Sequence, residues 1–68
     1  MKNHWKKRGN NLYYVTKDHD CRYYIVGNGS GYHVYDGATD DYIGLAKCVL
    51  SAIESVIHRD ATVSYTIS

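Results

Sequence analysis

The sequence contains no phenylalanine, although it has eight tyrosines among its 68 residues. A chain that uses tyrosine for most of its large rings carries hydroxyls that need water or a hydrogen-bonding partner. Two doublets, Tyr13-Tyr14 and Tyr23-Tyr24, lie in short runs typical of β-strands, where neighbouring side chains point to opposite faces. The sequence therefore predicts a sheet with tyrosines on both faces, one set in the core and the other toward solvent.

Long apolar runs are also missing. No stretch approaches the roughly 20 apolar residues of a membrane-spanning helix, so we expect no membrane association. Residues 1–8 are polar and no hydrophobic segment follows them, which argues against a secretory signal. Cys21 and Cys48 are the only cysteines, and we expect reduced thiols rather than a disulfide, in a cytoplasmic protein.

The chain lacks the spacings that mark metal sites and catalytic centres. It has no Cys-x-x-Cys and no pair of histidines four residues apart, so neither a metal nor another cofactor is expected. The glycine-rich stretch 27–31 lacks the Gly-Lys-Ser/Thr ending of a phosphate loop and is typical of a hairpin turn. A two-layer domain of this size leaves little room for a pocket in which catalytic groups converge. We therefore expect a protein that is not an enzyme.

Positive charge is concentrated near the N-terminus, while the rest of the chain has more acids than cations, for a net charge of +1. The cations of this segment are Lys2, Lys6, Lys7 and Arg8. We predict a basic N-terminal arm over residues 1–10 and a single α+β domain over 11–68. Such an arm binds phosphates or an acidic protein surface, or is simply a solvated terminus. Trp5 lies within it and is expected to fold back on the edge of the core, or else to anchor a partner.

The predicted order of elements is β-β-β-α-β, an antiparallel meander with one amphipathic helix packed on one face. Strands are predicted at 12–16, 21–26, 31–36 and 62–67. The helix begins either after Thr39 as N-cap or, because Gly44 disfavours a helix, only at Leu45 with Tyr42 and Ile43 extended. Its apolar side chains recur at spacings of three and four. They are Ile43, Ala46, Val49, Leu50, Ile53 and Ile57.

Two hairpin turns set the predicted register. A type I′ turn at Asn28-Gly29 pairs Ile25 with Tyr32, and a four-residue turn at 17–20 pairs Tyr14 with Tyr23. The predicted core face holds Leu12, Tyr14, Cys21, Tyr23, Ile25, Tyr32 and Val34, with Val63, Tyr65 and Ile67 from the last strand. The predicted open face holds Tyr13, Val15, Arg22, Tyr24, Val26, His33 and Tyr35. On it Tyr13, Tyr24 and His33 are predicted to form a row across three strands, with Tyr35 diagonal to it. A slip of one residue in either hairpin would exchange the two faces.

The open face is the predicted binding surface. Its candidate partner-binding residues are Tyr13, Arg22, Tyr24, His33 and Tyr35, and those of the basic arm are Lys2, Trp5, Lys6, Lys7 and Arg8. Tyrosine and arginine are enriched at the centres of protein interfaces, and exposed rings on sheets also stack with unpaired bases. A third interpretation is that the tyrosine pairs only stabilise the sheet. A homodimer formed through the C-terminal strand is compatible with each binding interpretation.

The stretch from Gly31 to Asp36, a short turn, and a helix carrying Ala52-Ile53 and Val56-Ile57 resemble small phage and prophage proteins, at the level of architecture over residues 12–67. Among these proteins are inhibitors of bacterial immunity of the anti-CRISPR type. The resemblance implies a stoichiometric binder of a host or defence-system protein complex, with no catalytic residues. Many such inhibitors are strongly acidic mimics of DNA, and this chain is not.

Overall fold

The computed structural model describes residues 3–67, which form an antiparallel sheet and one helix packed on it. The elements are β1 (His4–Arg8), β2 (Asn11–Val15), β3 (Cys21–Asn28), β4 (Gly31–Asp36), β5 (Tyr42–Ala46) and α1 (Val49–Arg59). The strands lie in the order β1-β2-β3-β4-β5, each antiparallel to its neighbour. The predicted α+β class, a meander with one helix on one face, is confirmed. The order of elements is instead β-β-β-β-β-α.

Within the basic segment, His4–Arg8 form β1, the first strand of the sheet. Trp5 is fully buried, its ring centroid lies 5.0 Å from that of Tyr14, and its backbone N–H donates to the carbonyl of Thr66. The indole Nε1–H donates to the carbonyl of Ser64 at 2.8 Å. The expectation that Trp5 folds back on the core is confirmed. Lys7 also belongs to β1, and Lys2 lies outside the described residues.

The predicted start of the helix is wrong, because residues 42–46 form a fifth strand. Asp36 accepts hydrogen bonds from the backbone N–H groups of Ala38 and Thr39, and Asp40 has a φ of 62°, so the chain reverses in a hairpin. The alternative with Tyr42 extended is closer to the structure. The helix begins only at Val49, and Ala52, Ile53 and Val56 are its buried residues.

The predicted last strand is also absent from the described part of the chain. Residues 61–67 follow the helix without regular structure. They form one isolated parallel bridge, between Trp5 and Ile67, and the carbonyls of Ser64 and Thr66 accept hydrogen bonds from Trp5. Val63 is buried as expected, whereas Tyr65 and Ile67 are 53% and 47% exposed. Alternation of polar and apolar residues predicted a strand here, but the described hydrogen bonds of this segment to β1 all involve Trp5.

The two hairpin registers differ in how well the sequence predicted them. The β2–β3 pairs of Tyr14 with Tyr23 and Leu12 with Ile25 are confirmed. In the β3–β4 hairpin the turn residues are Gly29 and Ser30, so Ile25 pairs with Val34 and not with Tyr32. The register is shifted by two residues, and an even shift keeps every side chain on its face.

A β-bulge at the start of β3 moves two residues away from their predicted positions. Tyr14 pairs with Tyr23 while Val15 pairs with Cys21, so Arg22 lies between the two pairs. Cys21, predicted in the core, is exposed beside Val15. Arg22, predicted on the open face, donates from Nη2 to Asp60 Oδ2 at 2.8 Å, at the end of the helix.

The core lies between the sheet and a second layer formed by α1 and the segment that follows it. The helix contacts β4 and β5, while residues 63–66 cover the β1 side through Val63 and the bonds to Trp5. The buried side chains are Trp5, Leu12, Tyr14, Tyr23, Ile25, Val34, Ala46, Ala52, Ile53, Val56 and Val63. Within residues 3–67, no helix is long and apolar enough to cross a membrane.

Asp60 joins the helix end to the sheet and makes stability depend on pH. Hydrogen bonds from Thr62, together with Arg22 and the hydroxyl of Tyr23, lower the pKa of the Asp60 carboxyl. Because the folded pKa is below that of the unfolded chain, the stabilisation is complete above the unfolded value of about 3.9 and is lost as pH falls through the folded pKa.

We therefore expect Asp60→Asn to lower the urea midpoint at pH 7, with the difference from the wild type shrinking by pH 3. The variant keeps the shape of the side chain but not its charge. Asp18→Asn, in an exposed turn, is the matched control and should change neither midpoint appreciably. An equal decrease of the urea midpoint in Asp60→Asn at both pH values would show that the ionisation of Asp60 contributes nothing to stability.

Candidate functional site

Four tyrosines form a continuous row across the open face of the sheet. Successive strand pairs place Tyr13 opposite Tyr24, Tyr24 opposite Tyr35, and Tyr35 opposite Tyr42. We call these residues the tyrosine row. Directly paired residues share a face, so the alternation that buries Tyr14 and Tyr23 exposes this set to solvent. Lys6 pairs with Tyr13 and extends the row to β1.

Three rings of the row, those of Tyr24, Tyr35 and Tyr42, pack on one another. Tyr24 and Tyr35 are stacked, with centroids 4.9 Å apart and planes inclined by 16°, and Tyr42 meets Tyr35 edge-on at 5.3 Å. The distance between the stacked rings is close to the spacing of neighbouring strands, so these rings stand upright on the sheet. They present edges and hydroxyls to solvent, while much of the flat ring surface faces a neighbouring ring.

Hydrogen bonds hold the row at two places. The hydroxyl of Tyr24 donates to Asp40 Oδ1 at 3.0 Å, and that of Tyr42 lies 3.1 Å from His33 Nδ1. His33 Nε2 in turn lies 3.0 Å from Ser30 Oγ. Partial burial and the bond to Asp40 raise the pKa of Tyr24, so its phenol is neutral at physiological pH. These contacts fix the rings before any partner arrives, which lowers the entropy cost of binding.

The structure brings together most of the predicted open-face residues. Tyr13, Tyr24 and Tyr35 are in the row. His33, however, is not opposite Tyr24 as predicted, because the two-residue shift places Tyr35 there and pairs His33 with Val26. Arg22 does not join the row, since its guanidinium binds Asp60.

Sequence reasoning missed two residues of this site. Tyr42 is 53% exposed and completes the row on β5, while Asp40 holds Tyr24. Both lie where a helix was predicted to begin. Gly44 was the signal that could have found them, because it disfavours a helix and leaves Tyr42 and Ile43 as a short β-forming run.

The β1 end of the open face contains a shallow hollow of about 310 Å³. Its lining residues, which define the hollow, are Lys6, Arg8, Tyr13, Val15 and Cys21. Strand alternation places Lys6 and Arg8 here, whereas Trp5 and Lys7 point to the opposite side. Desolvation raises the pKa of the Cys21 thiol, whose Sγ donates to the carbonyl of Tyr23 at 3.3 Å. The thiol is therefore neutral and forms part of an apolar floor.

No group of three or more His, Cys, Asp or Glu side chains in the described part of the chain is placed to hold a metal ion. Comparison of the chain with protein-family models, curated proteins and solved structures found no match.

Proposed function

We propose that this protein is a non-enzymatic interaction module that binds a partner protein through the tyrosine row. The observation that carries the proposal is the row itself, four tyrosines at directly paired positions across four strands on the open face of the sheet. Tyrosine supplies large contact area with few rotatable bonds and a hydroxyl for hydrogen bonding, which suits it to the centre of an interface. Within residues 3–67 the hydroxyls of Tyr13 and Tyr35 have no protein partner, so a ligand can use them.

The orientation of the rings favours a protein over unpaired bases. A base stacks on a free ring face, and single-stranded nucleic acid gains roughly 1–3 kcal/mol for each such contact. Tyr24 and Tyr35 already cover each other at 4.9 Å, so a base would first have to separate them. A protein surface can instead pack on the exposed edges and accept hydrogen bonds from the hydroxyls.

The proposed mode of action is stoichiometric inhibition. A rigid surface of this kind, on a small domain without a metal-binding group among its described residues, suits a protein that blocks a larger one by occupying it. The class of partner we propose is a host or bacterial defence-system protein complex, in line with the resemblance to anti-CRISPR-type inhibitors. On this proposal the protein acts in the cytoplasm.

The second candidate is a single-stranded nucleic-acid-binding domain. The observation in its favour is that Lys6 and Arg8 lie on the same face as the row and next to Tyr13. Binding of this kind would weaken steeply with salt, because phosphate contacts release counterions.

The test is capture of partners from a nuclease-treated host lysate by immobilised protein. Tyr24→Ala/Tyr35→Ala should lose its captured proteins, because loss of interface centres weakens binding about 30-fold or more. Tyr65→Ala is the control, since Tyr65 is an exposed tyrosine that lies outside the row. Circular dichroism melts establish that each variant is folded.

Capture that survives in the folded double variant would contradict the proposal. Capture of nucleic acid instead, with loss on nuclease treatment and a steep salt dependence, would select the second candidate.

A further inference from the structure

We propose that the hollow at the β1 end receives an acidic side chain from an extended segment of the partner protein. This proposal rests on the proposed function and specifies the chemistry of the partner beside the row. Lys6 and Arg8 alternate along β1, so their side chains project from the same face about 6.6–6.8 Å apart along the strand. Both are exposed and both line the hollow.

The charges of these two residues are not neutralised by an internal ion pair. Among the described residues, neither Lys6 nor Arg8 forms a salt bridge, and the Arg22–Asp60 pair lies on the other side of the sheet. Asp40, which accepts a hydrogen bond from Tyr24, is near enough to Cys21 to help raise the pKa of its thiol. The positive charge of the hollow therefore lies on its β1 side, and an acidic group of a partner has one preferred place there.

The floor of the hollow fits the stem of an acidic side chain. Tyr13, Val15 and the neutral thiol of Cys21 provide apolar surface beside the two cations. Its volume of about 310 Å³ is at the lower limit of small-molecule sites, so it suits one or two side chains better than a whole ligand. A glutamate would place methylenes on this floor and its carboxylate between the cations.

The partner segment has to lie across the open face and not along the sheet edge. The backbone N–H of Trp5 already donates to Thr66, and Ile67 forms a bridge with Trp5, so part of the outer edge of β1 is occupied. Alternate residues of an extended segment are spaced like Lys6 and Arg8. Acids two positions apart can therefore meet both cations at once, while the rest of the segment continues toward Tyr24.

The test is an NMR titration of the ¹⁵N-labelled full chain at low salt with the synthetic peptide acetyl-Glu-Thr-Glu-amide. Saturable shifts are expected at the amides of Lys6, Arg8 and Tyr13. Lys6→Gln/Arg8→Gln should weaken binding about fivefold or more, in the range of two exposed ion pairs. Lys7→Gln is the matched control, because it removes the same charge from the same strand on the opposite face. The peptide acetyl-Gln-Thr-Gln-amide should cause no saturable shift.

A second measurement uses Cys21 as a reporter in the Cys48→Ser protein. The acidic peptide should slow alkylation of Cys21 by N-ethylmaleimide, and the Gln peptide should not. No protection, no saturable shift, or an equal loss of binding in Lys7→Gln would overturn the proposal. Tighter binding of oligothymidylate at the same amides would assign the hollow to nucleic acid instead. Because the titration uses no cellular partner, its failure is distinguishable from failure of the tyrosine row to capture a protein.

Discussion

Trp5→Ala is expected to leave the protein largely unfolded at 25 °C. Trp5 is fully buried, packs on Tyr14 and joins β1 to the segment after the helix through Ser64 and Thr66. Truncation of a buried tryptophan costs about 3–5 kcal/mol. Domains have roughly 0.05–0.15 kcal/mol of stability per residue, so a chain of 68 residues has about 3–10 kcal/mol in total. Far-UV circular dichroism with a urea titration measures the loss.

Two further variants separate packing from hydrogen bonding. Trp5→Phe keeps an aromatic ring but removes the indole N–H that donates a hydrogen bond to the carbonyl of Ser64. Its loss of stability should therefore be intermediate. Lys7→Ala, two residues further along the strand and exposed, should change the urea midpoint little. A Trp5→Ala protein as stable as the wild type would mean that β1 is dispensable, and would restore the interpretation of this segment as an arm.

Gly37→Ala is expected to lower stability by about 1–3 kcal/mol, as overpacking usually does. A methyl group at this position would overlap the carbonyl oxygen of Cys21 and lie 2.9 Å from the carbonyl carbon of Arg22. These are backbone atoms of the neighbouring strand and cannot rotate away. The backbone N–H of Gly37 also donates to the carbonyl of Arg22 at 2.8 Å, so relieving the overlap would break this bond.

Gly29→Ala and Gly44→Ala are the controls for this prediction. A methyl group at either position would meet no atom within 4 Å, so the same substitution lacks the steric cost. Urea midpoints of the three variants, with unchanged slopes, give the comparison directly. If Gly37→Ala were as stable as the two controls, β3 and the β4–β5 turn would not be packed as tightly as the structure has them.

An error in strand register moves a side chain to the other face only if the shift is by an odd number of residues. The faces predicted for most side chains of the central strands were therefore correct despite a register error. The pairing of Tyr14 with Tyr23 was predicted correctly, although the turn before β3 is one residue longer than predicted and the bulge at Arg22 compensates for it. The next turn was predicted one position too early. Moving the turn by one residue changes the pairing by two, so Tyr24 and Tyr35 remained on the open face while their partners changed. For the same reason, three of the four residues of the tyrosine row could be predicted from the sequence.

The remaining errors have distinct physical causes. The apolar residues of the run 42–46 continue the spacings of three and four found in the helix. Periodicity alone therefore could not show where β5 ends and α1 begins. The charges of Lys6, Lys7 and Arg8 favoured the prediction of a solvated arm, whereas these residues belong to a strand whose buried residue is Trp5. The position of Arg22 depends on Asp60, which is 38 residues away in the sequence, so local sequence patterns could not predict it.

The bond from Trp5 to Ser64 can form only late in synthesis of the chain. Ser64 follows Trp5 by 59 residues, and ribosomes add about 5–20 residues per second, so the acceptor is made roughly 3–12 seconds after the indole. Throughout translation of the intervening sequence, the outer edge of β1 is open to strands of other nascent chains. Association of this edge with other chains is therefore a risk during synthesis, and the segment around Ser64 reduces it once that segment has been made.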